Sequence, residues 1–207
     1  MWDVLIAGGG MAGAALAIAA ARAGLSVALV EARDPAADAD APGRGPERVI
    51  ALSYASRDFL HRLGVWDAIA QGGAEPIREV HVREPGMPPV VRMRERDAGL
   101  EALGYVARND VILRALYDAL PPSVHVLAPA AIEAVEPAGD VLRTTVRRKR
   151  RMHPRCRLLV GADGANSRVR TLCGIGSRGW DHNRFGIVAS VRPRLPHRSV
   201  AHECFRP

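Results

Sequence analysis

Gly8, Gly10 and Gly13, followed by an acid at Glu31, are the residues of this 207-residue chain whose types and spacing most directly imply chemistry. In the order Gly-x-Gly-x-x-Gly, the first glycine permits a tight turn and the second lets the backbone approach a pyrophosphate. The third lets a helix pack closely against a strand. A helix opening at Met11 and Ala12 turns free N–H groups and the positive end of its dipole toward the phosphates. Glu31, with Ala32 beside it, lies about 20 residues further on, where a carboxylate accepts both hydroxyls of an adenosine ribose and disfavours a 2′-phosphate. The pattern points to a bound dinucleotide and leaves NAD and FAD open.

The flanking elements are those such a turn needs. Asp3 to Ala7 is a short apolar run suited to a buried parallel strand, Met11 to Ala23 is rich in helix formers, and Gly24 is placed to end that helix. Val27 to Val30 is the next buried strand. A second cluster, Gly161-Ala162-Asp163-Gly164-Ala165-Asn166-Ser167-Arg168-Val169-Arg170, follows the apolar run 157–161 and opens a helix. A carboxylate and a glycine at the C-terminal edge of a strand sit where open α/β sheets bind ligands. Taken singly, Asp163 also reads as a helix cap, Arg48 as a solvated charge and Asn109 as an N-cap.

Between these motifs, residues 33–46 are rich in Pro, Gly, Ala and Asp and read as a surface loop. Ser53 is a candidate N-cap for a helix through Leu63, with Phe59, Leu60 and Leu63 as its buried face and Gly64 as its stop. Residues 77–83 and 90–94 alternate apolar and polar as an antiparallel pair across Pro85-Gly86, in a sheet other than the first. Gly104 to Ala107 reads as a strand, followed by a helix from Asn109 that carries Ile112, Leu113, Leu116 and Leu120 on one face. Val124 to Leu127 returns to the first sheet. Residues 131–136 and 141–146 suggest a hairpin, and 185–191 and 200–205 are candidate strands of the second sheet.

The net charge of +7 is local: eight cations lie between Arg143 and Arg157, and without them the chain stands at −1. With 4% aromatics and none inside that run, nucleic-acid binding has no support. A local sequence alteration or a solvated basic loop that breaks the strand alternation is the expectation there. Cys156, Cys173 and Cys204 form no CxxC pair and suggest neither disulfide nor zinc. His81, His125, His153 and His182 have no partner at useful spacing, so no catalytic acid or base is named. The first thirty residues carry Asp3 and Arg22 and lack a basic leader, which reads as neither signal peptide nor span, hence cytoplasmic.

Residues 161–170 resemble the Asp-Gly fingerprint of the flavin-dependent aromatic hydroxylases, the single-component FAD monooxygenases, with Asp163, Gly164, Ser167 and Arg170 matching. Arg48-Val49-Ile50-Ala51-Leu52-Ser53, Leu63-Gly64-Val65-Trp66 and Leu103-Gly104-Tyr105-Val106 with Arg108-Asn109 are similar to segments of the ubiquinone-biosynthesis branch (the UbiH, UbiF and VisC type). The resemblance implies an α/β fold: a Rossmann-like FAD-binding domain with a parallel sheet, formed by 1–76 and 108–175. Residues 77–107 and 176–207 would supply part of an antiparallel substrate-domain sheet. It implies FAD contacts from Gly8, Gly10, Met11, Ala12, Gly13, Glu31, Ala32, Arg48, Asn109, Asp163, Gly164, Ser167 and Arg170. It further implies that NAD(P)H reduces FAD and that an oxygen atom of O₂ reaches an electron-rich phenolic ring. The implied substrate is a lipophilic polyprenyl phenol, bringing contact with the inner membrane surface and with other ubiquinone-biosynthesis proteins. A different FAD oxidoreductase, such as a reductase or halogenase, and a non-catalytic module are the alternatives. The family's later Gly-Asp motif has no counterpart here, so the chain is expected to be truncated and inactive alone.

Overall fold

Buried parallel strands need apolar side chains on both faces, and the first two strands of this computed structural model meet that demand with Leu5, Ile6, Val27, Ala28 and Leu29, all at 0% exposure. The structure describes residues 1–34, 48–88, 90–189 and 191–205; most of the loop expected over 33–46 lies outside them. In chain order the elements are β1 (Trp2–Ala7), α1 (Met11–Arg22), β2 (Val27–Val30), β3 (Val49–Ser53), α2 (Tyr54–Arg62), α3 (Trp66–Gln71), β4 (Glu75–Ile77), β5 (Glu79–Arg83) and β6 (Val91–Arg94). There follow β7 (Gly104–Arg108), α4 (Asn109–Asp118), β8 (His125–Leu127), β9 (Ala131–Ala138), β10 (Val141–Arg147), β11 (Arg151–Met152), β12 (Arg155–Gly161), α5 (Arg168–Leu172) and β13 (Val200–Cys204). They fall into two units, Met1–Gly45 with Leu113–Gly186, and Pro46–Ile112 with Ile187–Pro207.

The first unit is built on a sheet in the order β11-β10-β12-β1-β2-β8, with β9 paired to β10. Its β12, β1, β2 and β8 are mutually parallel, as the α/β expectation requires. One face packs on α1 through Val4, Ile6, Ala17, Ala20, Val27 and Leu29. Alanines dominate the buried side of α1, so its backbone approaches the sheet closely. The other face buries Leu5, Ala7, Ala28 and Val30 with Ile132, Val146, Cys156 and Val169.

Asp3 fastens the start of β1 to the entry of β2. Its Oδ2 accepts from the Ser26 hydroxyl (2.6 Å) and the Ser26 N–H (3.0 Å), and its Oδ1 from Arg157 (3.2 Å). The Ser26 hydrogen bonds, aided by Arg157, hold the carboxyl at about 2 against an ordinary 3.8.

The second unit holds two three-stranded sheets, β3-β7-β4 and β13-β5-β6. Ser53 caps α2, its Oγ accepting from the Ser56 N–H (3.2 Å). Trp66 meets Tyr105 edge-on with ring centroids 4.7 Å apart, and Arg57 lies 5.5 Å from the Trp66 ring while pairing with Glu101 at 3.1 Å.

Several expectations need correction. Phe59 is 47% exposed, because the inward stripe of α2 runs through Leu60 and on to Leu63. The run 77–83 is not one strand: it divides at Arg78, β4 pairing with β7 while β5 joins β6. Pro76, which lacks an N–H, sits on β4 at the sheet edge, where that loss is tolerated. The second sheet is mixed, since β13 runs parallel to β5. Residues 185–189 form no strand and leave Phe185 98% and Ile187 94% exposed; a strand exists only by pairing, and among the described residues none pairs with them.

The basic run is a hairpin, with a solvated basic loop only at its tip, 148–150. Thr144 and Val146 are buried and Arg143 and Arg147 exposed, after which the chain reverses and Arg151 returns opposite Arg147. Glu133 accepts from both, at 2.7 and 3.1 Å. Further down the ladder Arg143 stands opposite Arg155.

Two outcomes check this account. Leu29→Ala, emptying a fully buried site, costs roughly 2–5 kcal/mol in urea unfolding. Asp3→Asn removes a carboxylate whose folded pKa is depressed, so the stability difference from the unaltered chain is full above about pH 4 and fades as pH falls toward 2. A series of unfolding midpoints against pH reads it directly.

Candidate functional site

The C-terminal ends of β1 and β2 and the start of α1 enclose one side of a cleft of about 420 Å³. Its walls are Ala7, Gly8 and Gly10 of the glycine turn, Val30 to Arg33 beyond β2, Ala130 to Ile132 entering β9, and Ala162 to Gly164 with Asn166, Arg168 and Val169 after β12. All belong to the first unit.

Two of the three glycines are required by the protein's own backbone. Gly8 has φ +101°, and a Cβ there would stand 2.8 Å from the Asp163 Cα and closer still to the Ala162 carbonyl. A Cβ on Gly13 would overlap the Gly8 carbonyl oxygen, so α1 rests directly on the turn it follows. Gly10 differs. Its φ is −66°, open to any residue, and a Cβ there would meet nothing within 4 Å. The protein leaves that space clear, and it opens on the cleft, where a pyrophosphate requires close backbone approach. The first helical bond runs from the Ala14 N–H to the Gly10 carbonyl (2.9 Å), so the amides of Met11, Ala12 and Gly13 precede the ladder of α1. These observations fit the ADP end of a dinucleotide.

Glu31 and Ala32, just beyond β2, line the same cleft beside the glycine turn. The Glu31 carboxylate accepts from the Gly9 N–H (2.5 Å) and from the Arg33 N–H (3.0 Å), which ties the tip of β2 to the glycine turn. Asp163 also lines the cleft and caps the short α5. Its Oδ1 accepts from the Ser167 hydroxyl (2.5 Å), and its Oδ2 from the N–H groups of Arg168 (2.7 Å) and Val169 (3.1 Å). Burial pushes this carboxyl up, but the Ser167, Val169 and Arg168 bonds outweigh it and hold it below the usual range. Ser167 in turn accepts from the Arg170 N–H (3.0 Å), and Arg170 donates to the Ala165 carbonyl (2.9 Å). Asp163, Ser167 and Arg170 therefore shape the wall after β12, while Gly164, at φ +89°, bends it.

Arg48 and Asn109 belong to the second unit, where the Asn109 N–H donates to the Arg48 carbonyl (2.9 Å) beside the β3–β7 pair. Sequence reasoning missed Arg33, Asn166 and Arg168 on the cleft, and Tyr117, whose hydroxyl donates to the Gly9 carbonyl (3.0 Å). Arg33 was within reach, two residues beyond the acid already singled out. His81, read as partnerless, meets Glu79 at 2.9 Å and the His202 ring at 5.3 Å, because adjacent strands align residues 81 and 202.

A strand, a glycine turn, a helix and an acid at the tip of the next strand around one cleft define a dinucleotide-binding α/β protein. The family of FAD binding domains matches residues 1–205, and the chain belongs to it; FAD is therefore the dinucleotide. The chain is 34% identical over 207 residues to the ubiquinone hydroxylase UbiL of Rhodospirillum rubrum, covering 99% of this chain and 47% of that protein. It is also 34% identical over 192 residues to the 3-demethoxyubiquinol 3-hydroxylase of Escherichia coli, covering 92% of this chain and 48% of that one. The p-nitrophenol 4-monooxygenase PnpA of Pseudomonas putida shares the fold at TM-score 0.70 and 19% identity, over 84% of this chain and 44% of that one. The chain spans about half the length of the curated relatives it matches. The resemblance read from the motifs and the α/β fold class both hold.

The two kinds of glycine are separable by experiment. Gly13→Ala forces the turn apart and costs roughly 1–3 kcal/mol in denaturant unfolding. Gly10→Ala changes stability by no more than about 1 kcal/mol, yet weakens FAD binding measured by flavin fluorescence, because its methyl group occupies the cleared space.

Proposed function

We propose that the chain supplies the ADP end of the FAD site in a hydroxylase of ubiquinone biosynthesis, acting on a lipophilic aromatic substrate with NAD(P)H and O₂. The observation that carries the reading is the cleared space at Gly10 on the cleft that the Glu31 carboxylate also lines, in a chain of the FAD binding family whose relatives include named ubiquinone hydroxylases. Bound FAD supplies the redox chemistry, accepting electrons from NAD(P)H and delivering an oxygen atom of O₂ to an electron-rich ring.

The chain's own residues bind and orient. The Gly8–Gly13 turn and the first amides of α1, at Met11 and Ala12, hold the diphosphate against a helix N-terminus. Glu31 accepts the ribose hydroxyls, exchanging its bond to the Gly9 N–H for them, and Ala32 borders the adenosine. Asp163 and Gly164, fixed by Ser167 and Arg170, form the far wall of the diphosphate region. Arg48 and Asn109 are assigned to FAD as the family resemblance implies. The proposed limits are 1–76 with 108–175 for FAD and 77–107 with 176–207 for substrate; they differ from the two compact units over 46–76, 108–112 and 176–186.

No helix among the described residues is long and apolar enough to cross a membrane. A polyprenyl phenol partitions into the bilayer, so such a protein works in contact with the inner membrane surface and with other proteins of the pathway. Nucleic acid has no part in this reading.

The test is a titration with FAD followed by product analysis. The chain binds FAD, and Glu31→Ala weakens that binding roughly 10- to 100-fold, the loss of hydrogen bonds to a charged acceptor. NAD(P)H oxidation with a prenylated phenol, and mass analysis for one added oxygen, identifies hydroxylation. A chain that binds no FAD, or a Glu31→Ala variant that binds it as well as the unaltered chain, removes the basis of the reading.

A further inference from the structure

We infer that Tyr117 is a positioning residue for the diphosphate of the bound dinucleotide, acting through the peptide between Gly9 and Gly10. It lies on α4, 108 positions from the glycine turn in sequence, and its hydroxyl donates to the Gly9 carbonyl at 3.0 Å in a half-buried setting. A peptide group is planar and trans, so its C=O and N–H point in opposite directions. Holding the Gly9 carbonyl on the tyrosine side therefore turns the Gly10 N–H the other way. Gly8 and Gly10 line the cleft and Gly9 does not, which matches a carbonyl directed away from it and an amide directed into it.

The peptide on the other side of Gly9 is fixed as well, its N–H donating to Glu31. A Cβ on Gly9 would overlap the Tyr117 hydroxyl and come within 3.1 Å of Glu31. The residue is thus glycine because two side chains close on it, one from the tip of β2 and one from α4. When the ribose draws Glu31 away from Gly9, Tyr117 is the contact that keeps the Gly9–Gly10 peptide from rotating. The ligand class is a nucleoside diphosphate or a dinucleotide containing one. This inference rests on the dinucleotide reading above and adds to it a residue that the glycine pattern does not include.

Tyr117→Phe keeps the ring and removes only the donor. Calorimetric titration of the unaltered chain and the variant with ADP and with adenosine separates a role in positioning from a role in packing. The expected result is a roughly five- to tenfold loss for ADP, and the same for FAD, with adenosine unchanged, since only the phosphates meet the Gly10 amide. Equal losses for ADP and adenosine, or no loss for either, overturn the inference. Should the variant not fold, the ¹⁵N amide resonance of Gly10 in the unaltered chain gives the answer: it moves on addition of ADP and stays in place with adenosine. A resonance indifferent to ADP in a chain that binds ADP overturns this inference alone, while failure of the unaltered chain to bind ADP overturns the dinucleotide reading and this one with it.

Discussion

The contact on which the first unit depends is backbone against backbone, where Gly13 of α1 rests on the Gly8 carbonyl and Gly8 rests on Ala162 and Asp163. Two segments distant in sequence, the glycine turn with α1 and the residues after β12, meet there backbone to backbone. The approach lets the ends of β1 and β12 stand side by side, and it sets the helix N-terminus at the mouth of the cleft. Ordinary side-chain packing in the two layers beneath would hold these strands together, but it would not bring the amides so close to one point.

Upon that contact the structure places carboxylates that tie neighbouring segments together at the cleft. Glu31 bonds the turn, and Asp163 bonds the first amides of its own short helix. Side chains held by backbone N–H groups have little rotamer freedom left to lose, which is the advantage of preorganisation. The glycine at position 10 is the exception, since a Cβ there would meet nothing within 4 Å.

How much of this was legible in the sequence depends on the range of the interaction. The glycine turn, α1 and the acid at Glu31 lie within thirty residues, and their spacing states their geometry; the same holds for Ser53 capping α2 and for the helix-opening segment after β12. What escaped was long-range. Tyr117 reaches Gly9 across 108 positions, and no local pattern marks a tyrosine in an amphipathic helix as a hydrogen-bond donor to a distant turn. The division at Arg78 escaped for a related reason: alternation continues through it, and only the choice of partner, β7 for β4 and β6 for β5, separates the two strands. The candidate strand over 185–191 failed in the opposite sense, since its composition suits a sheet but pairing decides. In the basic run, charge hid the strands on either side: burial alternates from Arg143 to Arg147, and only 148–150, all exposed, form the loop between β10 and β11.

That basic hairpin carries a consequence for solution conditions. Arg143 faces Arg155 and Arg147 faces Arg151 across the ladder, with Glu133 shared by the second pair. Cations directly opposite one another on a sheet repel, and between exposed groups that repulsion is screened as ionic strength rises. Added salt therefore screens the Arg143–Arg155 repulsion together with the pull of Glu133 on Arg147 and Arg151, and of Asp3 on Arg157 at the strand beside it. Within one sheet the same electrolyte thus relieves one pairing and weakens others.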